Sequence, residues 1–412
     1  MENIERFIEA GESLAVELET ELTKRPAIAP ESGGTGELDK CEFLEAWLRG
    51  RGLACLERHD APDERAKGGT RPNLVVTIPG KSDAKRLWIM SHLDVVPPGE
   101  AALWESDPWT VVRRDDGPLG PRLIGRGVED NQQGLVSSVI AALALVKEGV
   151  TPPHTVKLLF AADEEVGSAY GVIWLIKNRD LFRPDDMVLI PDGGDPRGET
   201  IEIAEKNLIW ARFVTKGRQS HGSRPDLGVN AHLAGADLAV RLHRRLSEKF
   251  ADRDPLFEPG YSTFQPTRKE ANVPNINTIP GEDVFYMDMR ILPRYPNKTV
   301  LAEIDRVKAE VESGYGVTIA YTLPQQAESK PTPADTPLVG LLSKAVKETY
   351  GVETRTIGIG GGTVGAALRN IDIPSAVWSR MEDVAHQPNE FALIGNILGD
   401  AKVMARMMTA ER

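Results

Sequence analysis

Four short stretches in the first half of the chain are apolar nearly from end to end: NLVVTIP at 73–79, RLWIMS at 86–91, TVKLLFAA at 155–162 and DMVLIP at 186–191. A half-buried strand alternates apolar with polar residues, so near-continuous apolar runs of this length mark strands covered on both faces. Helical periodicity stands around them, at 2–24 (Ile4, Phe7, Ile8), at 37–49 (Leu44, Trp47, Leu48) and at 132–148. Buried strands separated by helices predict an α/β fold, with a mixed, mostly parallel sheet flanked by helices.

From about Leu208 the rhythm changes. A strand at 208–216, a helix at 230–250, strands near 262–271 and 282–292, a helix at 297–313 and a strand at 317–324 follow one another. That order, βαββαβ, is the ferredoxin-like arrangement and closes on itself as a small α+β unit. The stretch AESKPTPADTP (327–337) reads as a linker. Helix 338–350, strand 353–360, helix 363–370, strand 375–379 and a last helix from about 391 then resume the α/β alternation. The expected layout is one domain built from 1–207 and 327–412, interrupted by a second at 208–326.

A length of 412 residues with 41% hydrophobic and 27% charged side chains accommodates two such units. The net charge of -12 argues against binding nucleic acid or an anionic membrane, both of which need clustered cations. The longest apolar stretch, LVSSVIAALALV at 135–146, is too short to span a bilayer. The first residues lack the basic segment and apolar core of a secretory signal, so a cytoplasmic location is expected. Cys41 and Cys55 are far from a C-x-x-C spacing and read as reduced thiols.

Several polar motifs follow directly on the apolar runs. His92 and Asp94 lie in SHLDVVPPG; on extended chain they point the same way, and a carboxylate beside an imidazole can fix its tautomer. Asp130, in GRGVEDNQQG, either bridges two cations through its two oxygens or caps the helix that starts near Asn131. Glu129 is the lesser candidate, which spacing alone does not exclude. Glu164 and Glu165, in FAADEEVGS, stand at the C-terminal end of a strand, the edge where open α/β sheets bind ligands. Two adjacent acids repel unless a cation lies beside them, and one binding metal while the other handles protons is a reasonable division; a solvated acidic loop is the alternative. PDGG supplies Asp192 and MEDVAHQPNE supplies His386. His92, Asp130, Glu165, Asp192 and His386 thus all fall at strand ends of one inferred sheet, and their mixture of imidazole and carboxylate suits zinc, cobalt or manganese. His59, His154, His232 and His243 read as surface or packing residues, whereas His221, in the polar loop KGRQSHGSRPDLGVNA, has the setting of a substrate contact.

Taken in order along nearly the whole chain, SHLDVV, GRGVEDNQQG, ADEEVGS, PDGG, SHGSRPDLGVNA, NTIPG, GIGGGT and AHQPNE resemble the motifs of a dinuclear metallohydrolase family. That family contains acetylornithine deacetylase, succinyl-diaminopimelate desuccinylase, glutamate carboxypeptidase, aminoacylase and carnosine-type dipeptidases. The resemblance implies two divalent cations per subunit, zinc foremost, with Asp130 shared, His92 and Asp192 completing one site, and Glu165 and His386 the other. It implies that Glu164 is the general base in hydrolysis of an amide bond by metal-activated water, that Asp94 orients His92, and that the Asp130–Asn131 peptide is cis. The inserted domain would be a lid and dimerisation domain, giving a homodimer in which His221 serves the partner's site. Arg290 in FYMDMR would anchor a substrate carboxylate, and Asn275 and Gly361 lie in substrate-binding segments.

Two departures bear on the substrate, a small molecule in either case. Deacylases often carry Met-Lys-Gly after the shared aspartate, where this chain has Asn131-Gln132-Gln133-Gly134, and desuccinylases usually carry Glu at the position of Asp192. Both lean toward a dipeptidase or aminopeptidase, while the short lid leans toward a deacylase. A dinuclear phosphoesterase would show clustered Lys or Arg near the ligands, and Arg126 alone is thin support. A catalytically silent metal-binding protein would lack a ligand or the base, and none is missing.

Overall fold

The four apolar runs lie side by side, as strands with two buried faces must. In the computed structural model, which describes residues 1–411, they belong to an eight-stranded sheet. Its order is Leu56–Pro62, Thr70–Ile78, His154–Ala161, Ser82–His92, Met187–Asp195, Ser375–Arg380, Thr200–Glu205, Arg355–Ile359. Leu87 pairs with Val156 on one side and Met187 on the other, and Ser375 with Val188, all in parallel register. Four adjacent parallel strands therefore end on one edge of the sheet, while Thr70–Ile78 joins His154–Ala161 antiparallel. The architecture is α/β, a mixed and mostly parallel sheet flanked by helices. The helix Gly134–Lys147 is apolar all round, and every residue from Gly134 to Leu145 is buried.

A second compact unit has a four-stranded antiparallel sheet in the order Thr263–Lys269, Glu282–Ile291, Asn207–Lys216, Thr318–Ala327, with helices Ala231–Lys249 and Asn297–Tyr315. This is the βαββαβ order read from the sequence. Leu238, Leu242 and Leu246 form a stripe on one helix, and Val300, Ile304, Val307 and Val311 form one on the other; both stripes are buried with Phe213, Phe264 and Phe285. Phe213 and Phe285 are register partners and stack with ring centroids 4.9 Å apart.

The first unit comprises Met1–Ile203, Thr332–Ile357 and Ala367–Arg412, and the second Ala204–Pro331 and Gly358–Ala366. The glycine-rich segment Gly358–Ala366 thus departs from the expected 327–412 segment. Its bonds explain this: Gly358 N–H donates to the Leu256 carbonyl at 2.7 Å, Arg290 donates to the Gly360 carbonyl at 2.8 Å, and Thr363 donates to Glu205 at 2.5 Å. A Cβ at Gly358 would lie 2.4 Å from the Phe257 ring, so no larger residue fits this close approach. The helix expected at 2–24 is broken into Glu2–Glu9 and Glu12–Thr23 at Ala10–Gly11. Among the described residues no helix is long and apolar enough to cross a membrane.

Candidate metal centre

The parallel strand ends deliver the polar motifs to one place. Ser82–His92 ends on His92, Met187–Asp195 carries Asp192, and His154–Ala161 leads through Asp163, in left-handed conformation, into Glu164 and Glu165. Ser375–Arg380 leads into the loop that bears His386, also left-handed with φ 63°. Asp130 stands in the distorted turn Val128–Gln133 that opens the helix Gly134–Lys147, and its peptide bond to Asn131 is cis. The Asn131 side chain ties this turn to two strands, accepting from His92 N–H at 3.2 Å and donating to the Pro191 carbonyl.

His92 Nε2 lies 2.9 Å from Asp130 Oδ1 and 3.5 Å from Asp192 Oδ1. His386 Nε2 lies 3.1 Å from Asp130 Oδ2 and 3.0 Å from Glu165 Oε2. Asp130 therefore turns one oxygen to each imidazole. Donor atoms of His92, Glu164 and Asp192 fall within 4.8 Å of one another, and so do those of His92, Asp130 and Glu165. All five candidate ligands and Glu164 come together.

The charges in this cluster act strongly on one another. Burial would lower the His92 imidazole, but Asp192 and Asp130 beside it outweigh burial and hold it well above its usual range. Hydrogen bonds to Asp130 and Glu165 push His386 up to about 10. Burial would raise Asp130, yet its bonds to His386 and His92 keep it below the usual carboxylate range. Burial, with Asp192 close by, raises Glu164 well above that range; burial also raises Asp192. Four carboxylates thus crowd two imidazoles, and Glu165 Oε1 is buried without a hydrogen-bond partner among the described residues. A buried acceptor left unpaired among like charges fits a cation, and the imidazole and carboxylate donors suit a divalent metal of the zinc, cobalt or manganese type.

Asp94 differs in detail from the sequence expectation. The Nδ1 of His92 is 2.9 Å from the Asp94 backbone carbonyl and 3.6 Å from the carboxylate. The two carboxylate oxygens instead accept the N–H groups of Glu164 and Glu165, each at 3.0 Å. Burial raises this carboxyl to about 6. Glu390, fully buried, was missed: it accepts the N–H groups of Gly127, Glu129 and Asp130 at 3.0, 2.9 and 3.1 Å and pairs with Arg126 at 2.5 Å. Its signal was the polar ending of AHQPNE just before an apolar helix.

The other expected residues belong to the second unit. His221 is exposed, its Nδ1 2.8 Å from Ser223 Oγ, in a short strand paired with Thr278–Ile279. Asn275 is exposed and donates to Asn277 and Thr278 at 2.6 and 2.5 Å. Arg290 pairs with Asp288 at 2.9 Å and donates to the Gly360 carbonyl, beside exposed Gly361.

A mostly parallel sheet with histidines and carboxylates gathered at its strand ends defines a metal-binding enzyme site, and comparison with known proteins gives its class. Residues 88–410 match Peptidase family M20/M25/M40. An uncharacterized metallohydrolase of Methanococcus maripaludis is 36% identical over 408 residues, covering 94% of this chain and 97% of that one. A succinyl-diaminopimelate desuccinylase of Cereibacter sphaeroides is 28% identical over 389 residues, covering 93% and 94%. The structure of the di-peptidase Dug1p from Saccharomyces cerevisiae shares the fold, with a TM-score of 0.72 at 17% identity over 99% of this chain and 97% of that one. The chain belongs to peptidase family M20/M25/M40. It is a metal-dependent hydrolase of amide or peptide bonds.

Proposed function

We propose that the substrate is a small, carboxylate-bearing amide, an N-acyl amino acid or a dipeptide, and that two divalent cations, zinc foremost, are held by the clustered side chains. Asp130 is shared, His92 and Asp192 complete one site, and Glu165 and His386 complete the other. The observation that carries the reading is the division of Asp130, one oxygen facing each imidazole, at 2.9 and 3.1 Å. Bound divalent cations supply an acidified water and polarise a carbonyl.

The chain's own residues account for the rest. Glu164 is half-buried beside Asp192, among the described residues it has no hydrogen bond to a cationic side chain, and its affinity for a proton is raised. That is the property of a general base that takes a proton from water and returns it to a leaving amine. Asp94 fixes the backbone that presents it. Arg290 is read as the anchor for the substrate carboxylate, with Asn275 and Gly361 in substrate-binding segments; His221 is read as a donor to the developing oxyanion in a partner subunit. A homodimer through the second unit is supported by its open sheet edge at Thr263–Lys269, exposed from Gln265 onward, and by Val240, 64% exposed on the adjacent helix.

The test is turnover of the protein loaded with zinc or cobalt on N-acetyl, N-succinyl and N-carbamoyl amino acids and on dipeptides, with p-nitrophenyl phosphate alongside. Cleavage of at least one amide class and none of the phosphate ester is expected. Preferential turnover of the phosphate ester, or no turnover of any amide, overturns the assignment.

A further inference from the structure

The side chain of His386 is 54% exposed, and its Nε2 meets Asp130 and Glu165. With half of the side chain open, its position leans on the loop backbone. That backbone passes through left-handed conformations at Asp383, His386 and Asn389, with φ of 58°, 63° and 61°. Asp, His and Asn are the side chains other than glycine that enter this region most readily, and here they turn the loop sharply.

Glu129 grips this backbone on both sides of Asp383. It is buried, 2% exposed, and its Oε1 and Oε2 accept the N–H groups of Glu382 and Val384, each at 2.6 Å. Bonds from an amide to a carboxylate are about twice as strong as neutral ones, and two on one carboxylate also fix direction. The opposite hold is made by Glu390, from beyond the loop, which accepts three N–H groups of the turn that bears Asp130. Arg126 closes the arrangement, pairing with Glu390 and donating to the His386 carbonyl at 3.3 Å. Turn and loop thus grip each other through two reciprocal carboxylates. Because Glu390 holds the turn on its own, the Glu129 contribution falls on the loop.

We infer that Glu129 is a positioning residue for His386, acting through the N–H groups of Glu382 and Val384 to set the cation site that His386 shares with Glu165. The inference rests on the ligand assignment proposed above. Partners of this kind, one step removed from the metal, change its affinity by about 10–100-fold when removed.

The test is calorimetric titration of the cation-free protein with cobalt, comparing parent, Glu129→Ala, Glu129→Gln and His386→Ala. Glutamine keeps one acceptor oxygen but turns a donor toward the second N–H, so it replaces the carboxylate without emptying its space. In both Glu129 variants the first equivalent of cobalt is expected to bind as in the parent and the second about 10–100-fold more weakly, with near-parent turnover returning at high cobalt. Two equivalents at parent affinity in Glu129→Gln, or equal weakening of both, overturns the inference even if Glu129→Ala does not fold. Retention of both equivalents at parent affinity by His386→Ala instead overturns the ligand assignment, and the inference falls with it.

Discussion

Asp94 accepts the backbone N–H of Glu164 at 3.0 Å, so the residue that follows His92 by two holds the proposed base by its main chain. The second oxygen does the same for Glu165. An asparagine at this position keeps one acceptor and loses the other. Asp94→Asn is expected to fold and to lower kcat by about 10–100-fold with little change in KM. Steady-state kinetics beside a thermal melt decide it, and a parent-like kcat refutes the role.

Glu164→Gln preserves the shape of the side chain and removes its capacity to take a proton. The variant is expected to bind the parent's complement of cations while turnover falls by about 10²–10⁴-fold. Elemental analysis of the purified variant, together with kcat, checks both halves. Loss of metal along with activity would make Glu164 a ligand.

Bonds to Asp130 and Glu165 hold His386 up to about 10, above its ordinary 6.5. In the cation-free protein, a raised pKa of this kind contributes stability that is complete below 6.5 and lost as pH rises through 10. A ligating imidazole must be neutral, so cation uptake at pH 7 expels this proton and affinity climbs as pH increases. Titrations at pH 7 in two buffers of different ionisation enthalpy are expected to give different apparent heats, and equal heats would show that no proton leaves.

Burial holds the Asp400 carboxyl up to about 6, although Ser379, Tyr350 and the Arg380 N–H donate to it at 2.7, 2.8 and 3.1 Å. A carboxyl with a raised pKa binds its proton more tightly in the folded state, so stability falls as pH climbs from about 4 to about 6 and then levels. Two pH units correspond to at most about 3 kcal/mol. Asp400→Asn is expected to flatten that part of the profile. Urea midpoints of parent and variant at pH 4.5 and 7 measure it, and parallel profiles refute it.

Arg290 presents a planar fork that a lysine does not reproduce. Arg290→Lys is expected to raise KM for a carboxylate-bearing substrate by about tenfold or more and to leave kcat within a few-fold. Initial-rate measurements over a substrate series decide it, an unchanged KM removing Arg290 as the anchor.

The buried strands were legible because a sheet covered on both sides leaves no polar alternation to confuse with a helix. The strand Leu56–Pro62 escaped because its sequence, LERHDAP, is mostly polar at the sheet's edge. The break at Gly11 escaped because helical periodicity continues across it. At the centre, His92, Asp130, Glu164, Glu165, Asp192 and His386 stood out because each combines chemistry-bearing side chains with an apolar run or a glycine. What holds them did not stand out. Glu129 contacts Val384 and Glu390 contacts Asp130 across 255 and 260 residues, and no local pattern announces a bond between such distant segments. The division of Asp94 between a carbonyl for His92 and a carboxylate for two N–H groups is likewise decided by how strands meet.

The strand Ser375–Arg380 lies inside the eight-stranded sheet, between Met187–Asp195 and Thr200–Glu205. On the ribosome, every other strand of that sheet emerges before it, and until it arrives Met187–Asp195 offers an unpaired, largely apolar edge. Open edges of this sort pair readily with other chains. Pairing across the middle of the sheet therefore waits on nearly the whole chain, and truncation before Ser375 leaves the edge of Met187–Asp195 without its inner neighbour.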